Sequence, residues 1–213
     1  VLNIKIKLKT DFIDFYDHWF DNEGIVFERM TKNNLSRSEM FHLFKEKQIS
    51  TPLNGKIRDI SKQLKPSDWV VIYLDEYEHQ GKEKLLLKLS EAIEQYPNHY
   101  ASQYIKSYRA TSWRELFLGD YYFLLKYTSN DLWRSNVGEV DIEVENKSIL
   151  SKSTRTFDFP IYAIDYVADY NYRKNELNFF AIDLNTSPMA RGTGVENLIL
   201  AKDVANSIKQ YIF

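Results

Sequence analysis

Asp165, Asp183 and Asn185 are the residue types from which a hard-cation site is made. They fall in two runs, 162–168 and 177–185, that read as strands joined by a polar turn around 171–175. Side chains alternate along a strand, so Phe180, Ile182 and Leu184 share one face while Ala181, Asp183 and Asn185 share the other. A turn centred near Lys174 sets Asp165 opposite Asp183 at cross-strand distance, with Ala163 and Val167 flanking it. Two carboxylates that close are tolerated when one is protonated or a cation lies between them. An all-oxygen set suits Mg²⁺ or Mn²⁺, which keeps some waters and takes phosphate oxygens as further ligands. The alternative is a pair of solvated aspartates at strand ends.

Basic residues form the second group. Arg114, Lys126 and Arg134 (in Trp133-Arg134-Ser135-Asn136) lie in the middle of the chain. Guanidinium groups fixed near a metal serve phosphoryl or acyl-phosphate chemistry, in which charge builds on oxygens. Each taken alone fits an exposed or stem-packed cation better than a site residue.

The elements that must hold these residues follow from periodicity. Leu2, Ile4, Ile6 and Leu8 alternate with Asn3, Lys5, Lys7 and Lys9, a half-buried strand. Phe12, Phe15, Tyr16 and Trp19 recur at helical spacing to about residue 22, Gly24 closes that unit, and 25–27 is a second strand. Ser36 and Glu39 have the form of a capping box that opens a helix with Met40, Leu43 and Phe44 inward. Pro52 requires that helix to have stopped. Residues 1–50 therefore read as a compact βαβα-like preface. Residues 69–74 (Trp-Val-Val-Ile-Tyr-Leu) suggest a strand buried on both faces. The run 85–89 fits strand or helix, and Ser90 is placed to cap a short helix ending at Pro97. Residues 113–118 and 121–128 flank Gly119-Asp120, a two-residue hairpin signal. Pro188, Gly192 and Gly194 make a loop, and 195–212 is the closing helix.

Composition narrows the function classes. The chain has 213 residues, 28 basic and 30 acidic, for a formal charge of −2. So small a net charge argues against nucleic-acid binding by bulk electrostatics. With no cysteine, disulfides, thiolate metal sites and a thiol nucleophile are excluded. No apolar run approaches the roughly 18 residues of a membrane span. The expectation is a soluble cytoplasmic protein with no membrane partner. Val1 rather than Met opens the chain, as expected if a short preceding piece is missing from it. His18, His42, His79 and His99 show no ligand spacing, and neither a nucleophile elbow nor a Walker A loop is present.

Five segments in order carry a resemblance. They are Ser102-Gln103-Tyr104-Ile105, Trp113-Arg114 with Gly119, Trp133-Arg134-Ser135-Asn136, Ile164-Asp165, and Asp183-Leu184-Asn185-Thr186-Ser187-Pro188. The series resembles the second lobe of the ATP-grasp superfamily, most of all its ribosomal-protein glutamate ligase-like, carboxylate–amine ligase branch. Residues 43–55 resemble the family's entry to the ATP-covering lobe more loosely. The implied fold is α+β, a two-lobe ATP-grasp-like arrangement of antiparallel sheets with packed helices. The implied division is a shortened N-terminal preface (1–35), a small ATP-covering lobe (36–105) and a metal-binding lobe (106–213).

The resemblance implies roles position by position. Asp165, Asp183 and Asn185 match Mg²⁺ ligands that hold the ATP phosphates. The backbone of Gln103, Tyr104 and Ile105 matches the inter-lobe segment at the adenine edge. Arg134, with Asn136 beside it, matches the cation of the acyl-phosphate step. Arg114 and Lys126 match basic positions facing phosphate or substrate, and Arg37 falls where the family has a phosphate-contacting lysine. The implied activity is ADP-forming ligation of a small-molecule or peptide carboxylate to an amine, with ATP and Mg²⁺ (or Mn²⁺).

Departures keep two alternatives open: an ATP-grasp-type kinase, and a degenerate fold acting as a binding or assembly module. Asp183 replaces the usual glutamate, Gln103 replaces the linker acid, and Tyr73 replaces a strand lysine. The loop 75–84 has only Gly81 where the family is glycine-rich, with Lys82 or Lys84 as sources of the missing charge. The short N-terminal part means that some of the substrate pocket comes from elsewhere, from a second copy or a partner protein, or is absent.

Overall fold

The computed structural model describes residues 4–8, 25–29, 35–77, 83–107, 110–135, 137–145, 155–171, 174–186 and 188–209. The helix expected over 12–22, the loop residues Gly81 and Lys82, Asn136 and Ser187 lie outside them. The chain divides into two compact units, each built from separated stretches. One comprises 35–108 and 166–183; the other comprises 1–34, 109–165 and 184–213.

In the first unit, α1 (Arg37–Glu46) begins as the sequence requires. The Ser36 hydroxyl accepts the Glu39 N–H, and the Glu39 carboxylate accepts the Ser36 N–H at 2.7 Å. This reciprocal cap satisfies two of the donors that every helix start leaves open. Arg37, Met40, Phe41 and Phe44 are buried, whereas Leu43 is only half-buried. The helix ends at Lys47, and Gln48 then turns to φ 57°, well ahead of Pro52.

β3 (Asn54–Lys56), α2 (Ile57–Ile60), β4 (Trp69–Tyr73), β5 (Lys84–Lys88), α3 (Leu89–Gln95) and β6 (Tyr100–Gln103) follow. The strands form an antiparallel sheet in the order β3-β6-β4-β5. Alternation sends Val70, Ile72 and Ala101 into a core with Ile57, Ile60, Leu89 and Ala92 from the two short helices. The opposite face carries Val71, Tyr73, Tyr100 and Ser102. There Phe41 of α1 stacks on Tyr100, ring centroids 6.0 Å apart. The expectation that β4 is buried on both faces fails at its start, because Trp69 is 44% exposed. Trp69 is flanked by strands on both sides, but its ring faces the Lys88 ammonium, 6.0 Å from its centroid, and not a core. Ser90 is likewise not a cap: Lys88 occupies that position without a side-chain bond, and the helix already starts at Leu89. The run 85–89 is thus a strand that passes directly into a helix.

In the second unit, β1 (Ile4–Leu8) and β2 (Ile25–Arg29) pair in parallel, Ile4 opposite Ile25. β7 (Thr111–Leu118) and β8 (Tyr121–Ser129) form the expected hairpin, Leu118 opposite Tyr121, and β9 (Val140–Val144) adds antiparallel to β8. Gly119 at the turn has φ +59° and faces Ser207, whose hydroxyl would collide with any Cβ there. β10 (Ile161–Asn171) and β11 (Glu176–Asn185) complete a five-stranded sheet, β11-β10-β7-β8-β9, and contribute residues to both units. Leu116, Leu118, Phe123, Leu125, Ile161 and Ala163 meet Val195, Val204, Ala205 and Ile208 in one core.

The closing helix is not continuous. A 3₁₀ turn at Val195–Asn197 precedes α4 (Ala201–Lys209), separated by 198–200. The reason lies in the phase of the buried set. Ala201, Val204, Ala205 and Ile208 share a helical face, but Val195 would stand well off it in an unbroken helix. The break lets both reach the core. Among the described residues, no helix is long and apolar enough to cross a membrane.

Candidate functional site

Each unit holds an aspartate by an arginine that lies over a tyrosine ring. In the first, Arg37 is the first residue of α1 and is fully buried. Its Nη1 donates to Asp183 Oδ1 at 2.6 Å, and its guanidinium carbon stands 5.0 Å from the centroid of Tyr73. The Asp183 side chain is 15% exposed. β11 is held near this helix by its backbone: the Ala181 N–H donates to the Ser50 carbonyl at 2.8 Å. Tyr73 is buried, and its hydroxyl lies 3.0 Å from Ser102 Oγ. Burial pushes the Tyr73 phenol up, and Arg37 partly offsets that.

The second unit repeats the motif. Arg114 on β7 donates through Nε and Nη2 to the two oxygens of Asp165, at 2.6 and 2.8 Å. Its guanidinium carbon is 5.0 Å from the centroid of the Tyr127 ring, and Nη1 is 3.4 Å from the Tyr127 hydroxyl. A planar guanidinium matches a carboxylate edge in this two-pronged way, which fixes both groups. Burial raises the Tyr127 phenol and the arginine opposes the rise.

Arg134 belongs to a loop between β8 and β9. It is paired with Asp131, Nη2 to Oδ2 at 3.0 Å, and packs over Trp133 at 5.5 Å. Asp131 also accepts the N–H groups of Trp133 and Arg134, at 3.0 and 2.8 Å. The Arg134 bond, then the Trp133 N–H, holds the Asp131 carboxyl down at about 2. Lys126 faces acids across the sheet, with Nζ 3.1 Å from Glu143 and 3.9 Å from Glu145.

At the end of β6, the Gln103 N–H donates to Leu53 and the Tyr104 N–H to the Trp69 carbonyl. Beside them opens a cleft of about 360 Å³ lined by Trp69, Leu86, Gln103, Tyr104, Asp68, Ser67 and Lys106. The sequence had singled out Arg37, Arg114, Asp165 and Asp183, and the structure joins them as two pairs. It did not reveal Asp131, although its spacing of three from Arg134 was available, nor Tyr127 and Tyr73 as ring platforms.

No family model matches the chain, and no curated protein matches it. Solved structures do. The chain aligns over 84% of its length with the ATP-grasp ligase PsnB complexed with a precursor variant, Mg and ADP, at 11% identity and TM-score 0.56. It spans 59% of that protein's length. A RimK-domain ATP-grasp protein from Sphaerobacter thermophilus aligns over 99% of both chains, at 11% identity and TM-score 0.55. This chain has the ATP-grasp fold. D-alanine–D-alanine ligase from Bacillus anthracis shares it too, with TM-score 0.55 and 10% identity over 92% of this chain and 74% of that one.

An ATP-grasp fold raises the question of a metal. Among the described residues, no three His, Cys, Asp or Glu side chains cluster as a ready-made cage. The donor chemistry of Asp165, Asp183 and Asn185 is nonetheless all oxygen, which suits Mg²⁺. A bidentate arginine takes one lone pair from each carboxylate oxygen, and a second remains on each. Asp165 is therefore compatible with an ion while keeping Arg114.

Proposed function

We propose that this ATP-grasp chain is an ADP-forming ligase that joins a carboxylate to an amine through an acyl phosphate. The observation that carries the reading is the Asp-x-Asn strand end of β11, with Asp183 tied to the arginine that starts α1. In this reading residues 36–105 cover ATP and residues 106–213 carry the metal. Asp165, Asp183 and Asn185 would hold Mg²⁺, which supplies charge neutralisation on the β- and γ-phosphate oxygens. The cleft beside Gln103, Tyr104 and Ile105 receives the base. Lys126 and Arg114 meet the polyphosphate, and Arg37, fully buried, orients Asp183 from behind.

The chemistry has two displacements. A substrate carboxylate oxygen attacks the γ-phosphorus and ADP departs. The amine nitrogen then attacks the acyl carbon, inorganic phosphate leaves, and the nitrogen loses a proton to give an amide. Negative charge builds on oxygen in both steps, and Arg134, flanked by Asn136, stands ready to stabilise it. PsnB and the macrocyclase MdnC have been solved with precursor peptides, which favours a peptide as one substrate here. A second copy or a partner protein would complete its pocket. A ligase that consumes ATP belongs where ATP is supplied, in the cytoplasm.

Turnover and binding test this together. ADP release should require both an acid and an added amine. Arg134→Ala should leave Mg-ATP affinity within about twofold and lower turnover by about 100-fold or more, the usual cost of a lost oxyanion partner. ADP release with an alcohol acceptor alone would select the kinase. Absence of any binding heat with Mg-ATP would select the assembly module, which the buried Tyr73 in place of a lysine favours.

A further inference from the structure

Arg37, Arg114 and Arg134 differ in what their guanidinium groups have left to offer, out of the five N–H donors each carries. Arg37 is fully buried against Asp183. Arg114 uses one edge on Asp165, and Nη1 lies 3.4 Å from the Tyr127 hydroxyl. Arg134 is 37% exposed. Its Nε and Nη2 face the two oxygens of Asp131, at 3.4 and 3.0 Å, and its guanidinium carbon stands over the Trp133 ring. Among the described residues nothing hydrogen-bonds Nη1. The outer edge, Nη1 with the second hydrogen of Nη2, is therefore an open fork of the shape that a carboxylate or phosphate fits.

The loop that aims this fork is tied down at successive residues. Asp131 accepts the N–H groups of Trp133 and Arg134, so the carboxylate that holds the side chain also sets the backbone that carries it. The Asp131 N–H donates to the Ser129 hydroxyl at 3.0 Å, and that hydroxyl donates to the Val137 carbonyl. Asn130 Oδ1 accepts the Glu139 N–H at 3.2 Å. Gly138, at φ +81°, makes room for this amide, since a Cβ there would stand 2.3 Å from its oxygen. A mobile arginine loses side-chain entropy each time it meets an anion, and a clamped one does not.

Asp131 also works against Arg134. Its carboxyl is held down at about 2, so at neutral pH it is ionised and cancels the arginine's charge. An arginine that served by charge alone would do better without it. We infer that Asp131 is a positioning residue of the ligase reaction: it fixes the direction in which Arg134 presents its outer fork to the oxygens of the transferring phosphoryl group. The inference rests on the role given to Arg134 above and adds the residue that orients it. Orientation outweighs the cancelled charge because a pair this close to water is heavily screened, whereas a donor turned off its acceptor's line loses the bond.

Orthovanadate, a mimic of a phosphoryl group in transfer, is the probe. It is titrated calorimetrically into the full chain loaded with Mg-ADP, and Mg-ADP alone is the control. Asp131→Ala should weaken vanadate about 10- to 100-fold, the range for one charged hydrogen bond, and leave Mg-ADP within about twofold. Asp131→Asn keeps an oxygen for the two backbone N–H groups but has no second oxygen for Nη2. It should lose about threefold or more, and it carries the test alone if the alanine variant fails to fold. Adding Asp131→Ala to Arg134→Ala should weaken vanadate no further, because Asp131 acts through Arg134. Vanadate binding by Asp131→Asn within about twofold of the parent, or tighter as a pure charge effect demands, overturns the inference while the role of Arg134 stands. Additive losses in the double variant overturn it as well. Equal losses of vanadate and Mg-ADP do the same, since they mark a general loosening of the loop. Parent protein that takes up no vanadate, or Arg134→Ala that takes it up like the parent, removes the role of Arg134 and this inference with it.

Discussion

Arg37–Asp183 and Arg114–Asp165 are two versions of one device, an acid on a closing strand gripped by an arginine stacked on a tyrosine. They differ in burial and in grip. Arg37 is fully buried and touches Asp183 through one nitrogen, whereas Arg114 is 17% exposed and clasps Asp165 through two. A buried ion pair is held together by what its loss would leave behind. Removing either partner strands a charge in a poor dielectric, even when the intact pair contributes little. A two-pronged pair near solvent works differently: its geometry is strict, but water can take over for a missing partner. The first pair should therefore behave as a structural keystone, and the second as a positioning device.

Substitution at Asp183 gives the widest separation between the two. Asp183→Ala leaves Arg37 buried without its counter-ion and should lower stability by about 3–5 kcal/mol in chemical denaturation. Asp183→Asn, which keeps an acceptor oxygen, should cost clearly less. Ligand studies at this position are then best done with the asparagine. If both variants unfold at the parental midpoint, the keystone view is wrong.

Arg114→Ala should have a smaller effect on stability, about 1–2 kcal/mol, because Asp165 regains water. Lys in its place retains charge without the fork, and should recover stability better than activity. A loss as large as that of Asp183→Ala would erase the distinction drawn here.

The mildest test uses pH. Burial raises the phenols of Tyr73 and Tyr127, and pushes Tyr100 up to about 12. A raised phenol favours the neutral, folded form. Its stabilisation is complete below the unfolded value near 10 and fades as pH climbs toward the folded value. Ultraviolet titration of the parent should show these tyrosines ionising late, together with loss of the fold. Normal ionisation near 10 with the fold intact would mean that neither ring is the closed platform described.

Local signals in the sequence proved reliable for elements and weak for partners. The Ser36–Glu39 box, the Gly119 hairpin and the closing strands were all legible, because each depends on residues a few positions apart. Asp165, Asp183 and Arg114 were also legible as candidates from residue type and placement, and Arg37 by resemblance. Their pairing was not: Arg37 and Asp183 are 146 positions apart, and no spacing rule spans that distance. The break before α4 was missed for a related reason. A window of apolar residues from 195 onward looks helical throughout, and only the sheet beneath it reveals that Val195 and Ile208 call for different phases.

The last helix carries a consequence for how the polypeptide is made. Ser207 anchors the β7–β8 turn through the Asp120 N–H, and Val204, Ala205 and Ile208 seal the sheet that begins some ninety positions earlier. While the ribosome is still extending the chain, Leu116, Leu118 and Leu125 lack the part of their cover that Val204, Ala205 and Ile208 supply. That half of the molecule must wait, collapsed but unsealed, until residues near 208 emerge from the exit tunnel.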